Sequence, residues 1–285
     1  MKDSLKRLHC PSLNLRAYTA VTTGISNELC TIHQTTPNAT YALAQSLSAA
    51  ALLSASLKPE SNQSLVYKIE GNGPLRSVYV QADSRGGMRG YVGNPSVDHT
   101  VSLDTISFST IIGAGTLTVT KELGLREPYT GVSALLYGSV ARDTAYYLAS
   151  SEQIPSALII ACETRNDGVI TAAGGILIQT FPDTSLDVIG SVEERIHTMD
   201  ESLGKRMENG EDVSVVLSKL LLDSPVQLLS ETPLKHRCSC SREVILRSLR
   251  FVSTEDLQTM IDEDHGAEVS CTFCKTRYAV TEDEL

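Results

Sequence analysis

The sequence has few aromatic side chains: among 285 residues there is no tryptophan, and phenylalanine and tyrosine together make up only 5%. It also lacks any apolar run approaching the roughly 18 residues of a transmembrane helix, so we expect no membrane partner. The first twenty residues contain neither an apolar core nor a small-residue cleavage site, as a secretory signal would. We therefore expect a cytoplasmic protein, whose seven cysteines are thiols or metal ligands rather than structural disulfides.

Charge is distributed unevenly along the chain, whose formal net charge is −10. Residues 1–182 carry 13 basic and 13 acidic side chains, residues 183–233 carry 4 and 11, and residues 234–285 carry 7 and 10. A chain with this acidic excess repels polyphosphates, so nucleic acid is not an expected partner.

Residues 1–182 have the pattern of one α+β domain, a mainly antiparallel sheet with packed helices. Period-2 runs separated by glycine-rich turns indicate short strands, and a charge-free run rich in alanine and leucine indicates a buried helix. The predicted strands lie at 14–23, within 64–95, at 115–123, 132–140, 157–165 and 168–181, and the predicted helices at 25–34, 38–58 and 141–152.

The acidic segment 183–233 is predicted to be a helical linker. Five apolar residues recur at gaps of 3, 4, 3 and 4, which is typical of one amphipathic helix ending near Asn209-Gly210. A second apolar helix is predicted at 213–222. An isolated helix of this length is marginal, so we expect the apolar stripe to pack on the preceding sheet. The stripe consists of Ile189, Val192, Ile196, Met199 and Leu203.

Residues 234–285 contain four of the seven cysteines, in two tight pairs: Cys238-Ser239-Cys240 and Cys271-Thr272-Phe273-Cys274. Four thiolates at this spacing can close a tetrahedral site, and zinc is the metal that such a site favours. Two predicted helices and a hairpin in about fifty residues cannot bury a large core, so the metal is expected to hold this small domain together.

The spacing of the cysteines alone leaves the role of the metal site open. The cysteines can form a fixed structural zinc site, or a constitutive zinc ribbon that binds a protein partner or, through the basic residues between 235 and 250, RNA. The acidic net charge of the tail and its few aromatics disfavour RNA. His236 and His265 are possible alternative ligands, but with four cysteines available we expect them to be bystanders.

The other three cysteines, Cys10, Cys30 and Cys162, show no pairing pattern, and their roles stay open. Cys162 lies in an apolar strand, which favours a small buried hydrophobe. No arrangement of nucleophile and base is found, so no enzymatic activity is expected.

Several blocks of the chain resemble the redox-regulated heat-shock chaperonin family, the 33-kDa class found mainly in bacteria. The tail CSCSRE…EDHGAEVSCTFCKTRYAV carries the family's cysteine pattern. EGNGPLRSVYVQADSRGGMRGYVGNP, IGAGTLTVTKELG, EPYTGV, YYLASSEQIPSAL and AAGGILIQTFP follow the order of blocks in the family's N-terminal domain.

The resemblance implies an ATP-independent holdase that is inactive while its four cysteines hold one zinc ion. It implies that oxidation forms the disulfides Cys238–Cys240 and Cys271–Cys274, that zinc leaves, and that tail and linker unfold. Apolar surface, including the stripe in 183–233, would then capture unfolding clients. Family members act as dimers and pass clients to ATP-dependent foldases.

The two cysteine pairs are expected to oxidise in order. A Cys-x-x-Cys loop suits normal disulfide geometry, whereas the shorter Cys-x-Cys ring is strained. We therefore predict that Cys271–Cys274 forms first, and that mass mapping of partly oxidised protein finds Cys238–Cys240 later.

Overall fold

The computed structural model describes residues 1–97, 108–264 and 266–284, which form two compact units, Met1–His236 and Arg237–Leu285. Within these ranges, no helix combines the length and apolar character needed to cross a bilayer.

The first unit contains eleven strands and seven α-helices among its described residues. In chain order they are β1 (Ser4–Cys10), β2 (Leu15–Val21), α1 (Thr23–His33), α2 (Pro37–Ser54), β3 (Ser64–Gly71), β4 (Ser77–Asp83), β5 (Gly87–Val92), α3 (Phe108–Ile112), β6 (Gly115–Glu122), β7 (Tyr129–Ala134), α4 (Val140–Ser150), β8 (Ser156–Thr164), β9 (Ile170–Thr180), α5 (Leu186–His197), α6 (Leu203–Glu208), α7 (Val213–Leu220), β10 (Gln227–Pro233) and β11 (Lys235–His236).

These strands form two sheets. The five-stranded sheet has the order β10-β1-β2-β9-β8, with every neighbouring pair antiparallel. The six-stranded sheet has the order β11-β5-β4-β3-β6-β7 and is antiparallel except for the short β11–β5 pair. The predicted α+β class with a mainly antiparallel sheet is confirmed.

Helix α2 lies in the largest core and contacts strands of both sheets. It begins at Pro37, whose fixed φ suits the first helical turn. It carries no charged residue, so it can be buried on nearly every side.

The opposite face of the five-stranded sheet is covered by α5, α6 and α7, which share a second apolar cluster with β1, β2, β8 and β9. The prediction that the apolar stripe lies on one helix is wrong. Helix α5 ends at His197, the Thr198 hydroxyl donates to the Glu194 carbonyl, and Ser202 caps a new helix by accepting from the Lys205 amide. The apolar spacing of the stripe therefore continues from α5 into α6, although the Ser202 cap begins a separate helix.

The strand predicted over 132–140 is also wrong in its second half, because β7 ends at Ala134. The fully buried carboxylate of Asp143 accepts hydrogen bonds from the backbone amides of Leu136, Tyr137 and Ser139. These bonds hold the chain in a loop ahead of α4.

The sequence pattern did not predict β1, β10 or β11. Strand β10 lies inside the segment predicted to be a helical linker and pairs with β1 at the edge of the five-stranded sheet. Because most of its residues are exposed, it lacks the alternation of a half-buried strand.

The second unit contains α8 (Arg242–Leu249), α9 (Thr254–Asp264), β12 (Gly266–Ser270) and β13 (Arg277–Thr281). The two strands form an antiparallel hairpin. Only three apolar side chains of its described core cluster are buried, namely Ile245, Leu249 and Val280. This core is too small to hold fifty residues by itself.

Candidate metal centre

The first cysteine pair lies in an irregular segment just before α8, and the second lies at the turn of the β12–β13 hairpin. Cys238 and Cys240 directly precede Ser241, whose hydroxyl caps α8 by accepting from the Val244 amide. Cys271 and Cys274 lie in the turn between β12 and β13. That turn is closed by hydrogen bonds from the Cys271 amide to the Thr276 carbonyl and from the Lys275 amide to the Cys271 carbonyl, each 2.9 Å long.

The fold brings the four sulfur atoms within 4.8 Å of one another. The Sγ atoms of Cys238 and Cys271 are 3.7 Å apart, and those of Cys240 and Cys274 are 3.3 Å apart. With zinc–sulfur bonds of about 2.3 Å, a tetrahedral site has sulfur–sulfur distances of about 3.8 Å. The four side chains therefore fit a tetrahedral metal ion, and they form the one such group of His, Cys, Asp or Glu found among the described residues.

Two hydroxyl groups contact the sulfur cluster. The Tyr278 hydroxyl donates to Cys240 Sγ at 3.1 Å, and the Thr276 hydroxyl lies 3.2 Å from Cys274 Sγ. Hydrogen bonds from neighbouring side chains to ligand atoms orient metal ligands and adjust their basicity. Sequence analysis missed both residues, although alternation along β13 places Tyr278 on the same face as the buried Val280.

The metal-free thiols differ in acidity. Burial tends to raise the pKa of Cys274, but hydrogen bonds from the hydroxyl and backbone of Thr276 and from neighbouring thiols outweigh it and lower the pKa to about 6. Burial raises the pKa of Cys240 to about 12, against the hydrogen bond from Tyr278.

Histidine is absent from this cluster among the described residues. His236 is in β11, where its Nδ1 lies 2.8 Å from a carboxylate oxygen of Glu28. His265 lies outside the described residues.

The other three cysteines lie in the first unit, remote in sequence from the two pairs. Cys10 is buried. Cys30 and Cys162 are half-buried, and both pack against Ala44, Ile170 and Ala173. Burial raises the pKa of both thiols, that of Cys162 to about 12, which makes it a poor nucleophile at neutral pH.

The predicted client-binding stripe packs on the five-stranded sheet. Val192 and Leu203 are buried, and Ile189 lines a small cavity between α5 and the sheet, beside Leu15 and Ile178. Ile196 and Met199 are partly buried against the same cluster. In this structure the stripe is therefore largely covered.

Fold and site together define a class: an α+β protein with a separate small unit whose four clustered cysteines can hold a metal ion. A family model described as Hsp33 protein matches residues 3–281. The chain belongs to this Hsp33 family.

The matched relatives span nearly the whole chain. A 33 kDa chaperonin of Citrifermentans bemidjiense is 40% identical over 100% of this chain and 96% of its own length. One of Aquifex aeolicus is 39% identical over 93% of this chain and 82% of its own. The crystal structure of an Hsp33 homologue from Thermotoga maritima has a TM-score of 0.90 at 28% identity, covering 100% of this chain and 96% of that one. Membership of this family supports the assignment of this chain as a heat-shock chaperone. Chaperonins are not a class of enzymes.

Proposed function

We propose that this chaperone is a redox-regulated holdase, which needs no ATP and is inactive while Cys238, Cys240, Cys271 and Cys274 hold one zinc ion. The observation that carries the proposal is the four-sulfur cluster within 4.8 Å, in a unit with little core of its own. Bound zinc supplies a charge that keeps the sulfurs as thiolates, the form that oxidants attack.

Oxidation is proposed to join each pair internally, Cys238 with Cys240 and Cys271 with Cys274. Two thiolates lose two electrons as one sulfur–sulfur bond forms, and the protons that the oxidant takes up come from water. Hypochlorous acid takes up those electrons as chloride and water, and peroxide takes them up as two waters. A disulfide sulfur is no longer a thiolate ligand, so the cluster loses its affinity for the metal.

After metal loss, unfolding is proposed to spread along the chain from residues 234–285 into the linker, which then exposes the client-binding surface. β11 contains only two residues and lies two positions before Cys238. β10 is largely exposed. Helices α6 and α7 have only six and eight residues, and helices this short are stable only when they pack against other structure. Unfolding of residues 234–285 would thus reach the linker 183–233 before the domain 1–182.

Release of α5–α7 would uncover two apolar surfaces at once. One is the helical stripe of Ile189, Val192, Ile196, Met199 and Leu203. The other is the sheet face beneath it, which includes Leu8, Leu15, Ile176 and Ile178. Contiguous apolar surface is what unfolding clients bind. Homodimerisation when active, transfer of clients to ATP-dependent foldases and a cytoplasmic location are proposed from the family.

The proposal is tested by treating zinc-loaded protein with hypochlorous acid or warm peroxide. Zinc release is followed with a colorimetric chelator, and client aggregation by light scattering. Zinc loss and suppression of aggregation should rise together and reverse with reductant.

The matched variants are Cys274→Ser, which removes a ligand, and Cys162→Ser, which removes a thiol outside the cluster. Only the first should bind zinc poorly and suppress aggregation without oxidant. A constitutive zinc-dependent binding module, for RNA or one protein partner, would instead lose its binding as it lost metal.

A further inference from the structure

A second candidate ligand site lies in the first unit, where the core-facing side of the five-stranded sheet becomes polar. Arg16 and Tyr18 on β2 and Gln179 on β9 occupy this side, and they line a cavity of about 360 Å³. Its opposite wall comes from the ends of α2 and α4. The volume falls in the roughly 300–1,000 Å³ range of small-molecule sites.

The charges in the cavity wall do not balance. Lys121 and Glu152 line it and pair with each other at 2.6 Å, both nearly buried. The Tyr147 hydroxyl also donates to Glu152, at 2.8 Å. These contacts satisfy that carboxylate, so among the described residues that line the cavity one positive charge has no ion-pair partner, on Arg16.

Arg16 also lacks a hydrogen bond that its position requires. Its Nε atom is buried and has no partner among residues 1–97, 108–264 and 266–284. Its guanidinium carbon lies 5.7 Å from the centre of the Phe181 ring, a contact that supplies no oxygen acceptor for Nε. A buried donor without an acceptor is unfavourable, and a carboxylate is the acceptor that matches a guanidinium best.

The rest of the wall is apolar. Leu52, Leu148, Ile154 and Leu177 line the cavity, and the exposed Ser56 lies at its mouth. We propose that this cavity binds a small aliphatic carboxylate, with its anionic end on Arg16 and its chain along these side chains. A single uncompensated cation fits a monoanion, and the acidic protein as a whole disfavours more highly charged anions.

The test is a calorimetric titration of decanoate into the full-length, reduced, zinc-loaded protein. We expect saturable binding of one decanoate per chain. Arg16→Met should weaken it at least tenfold, whereas Arg126→Met, at an exposed arginine outside the cavity, should leave it unchanged. The uncharged 1-decanol should bind at least tenfold more weakly than decanoate.

A second variant keeps the test decisive if Arg16→Met fails to fold. Ser56→Trp places a large side chain at the exposed mouth and should also abolish binding, while the thermal unfolding transition is retained. Equal binding by wild type and Arg16→Met, equal binding of decanol, or non-saturating uptake of decanoate would overturn the proposal. No oxidant is used, so the outcome is independent of the redox switch.

Discussion

Removing the metal from the reduced protein should unfold residues 237–284 while the first unit stays folded. The three buried apolar side chains of the described cluster in the second unit contribute at most about 5–9 kcal/mol together, at roughly 1.5–3 kcal/mol each. Zinc binding contributes about 10–16 kcal/mol in small zinc domains. Helices of 8 and 11 residues are marginal without packing, so the metal contribution decides whether this unit folds.

Hydrogen–deuterium exchange of the chelator-treated, fully reduced protein measures this directly. Peptides from Arg242–Leu249 and Arg277–Thr281 should lose nearly all protection, and a peptide from Ser64–Gly71 in the six-stranded sheet should keep it. Cys274→Ser should show the same pattern without chelator. Unchanged protection of β13 in metal-free protein with all thiols reduced would refute the reasoning, because the small core would then suffice.

Three further outcomes are expected. Tyr278→Phe removes the 3.1 Å hydrogen bond to Cys240 and should weaken zinc binding about tenfold in chelator competition, whereas Tyr129→Phe, which loses a hydroxyl bond in the first unit, should not. Val216→Ala should lower the free energy of unfolding by about 2 kcal/mol and permit some aggregation suppression without oxidant. The same change at its neighbour Val215 should cost less than about 0.5 kcal/mol, because Val215 is 48% exposed and Val216 only 2%. Asp212→Asn should lower the free energy of unfolding by about 0.5 kcal/mol at pH 7, and by progressively less as the pH falls through the lowered pKa of Asp212; a difference independent of pH in denaturant titrations would contradict the charge argument.

The sign of that pH effect follows from the surroundings of Asp212. Burial tends to raise the pKa of its carboxyl, but hydrogen bonds from the Ser214 amide and from Lys6 outweigh burial and hold the pKa below 3.8. The ionised group therefore stabilises the fold above about pH 4. This contribution disappears as the pH falls through the lowered pKa.

Alternation and turn residues sufficed to predict most of the first unit. Strands β3 to β6 and the β8–β9 hairpin follow from period-2 runs, and α2 follows from its charge-free composition. The secondary-structure prediction fails where a single side chain ends an element or where a strand lies at the edge of a sheet. Asp143 ends β7 through three amide contacts that no periodicity encodes, and most residues of β10 are exposed.

Spacing of the cysteines predicts the four-sulfur cluster, and the fold brings the sulfurs together. That they hold zinc and change redox state stays a proposal. Spacing could not reveal the Tyr278 contact, because which hydroxyl reaches a sulfur depends on the pairing of β12 with β13. Nor could it reveal the isolated Arg16, since the missing partner becomes apparent only when the cavity wall is assembled.

If the proposed redox function is correct, the distribution of apolar core between the two units determines which parts of the chain unfold on oxidation. The first unit contains a large apolar core around α2 that does not depend on metal, so it should survive the loss of zinc. The second unit has only a small apolar cluster among its described residues, so it should unfold. Between them in sequence, α5–α7 are held by a separate apolar cluster on the outer face of the five-stranded sheet. A segment of short helices on an independent cluster can detach without opening the main core, because the two clusters lie on opposite faces of one sheet. If α5–α7 kept their exchange protection in oxidised, client-binding protein, the capturing surface would have to lie elsewhere on the first unit.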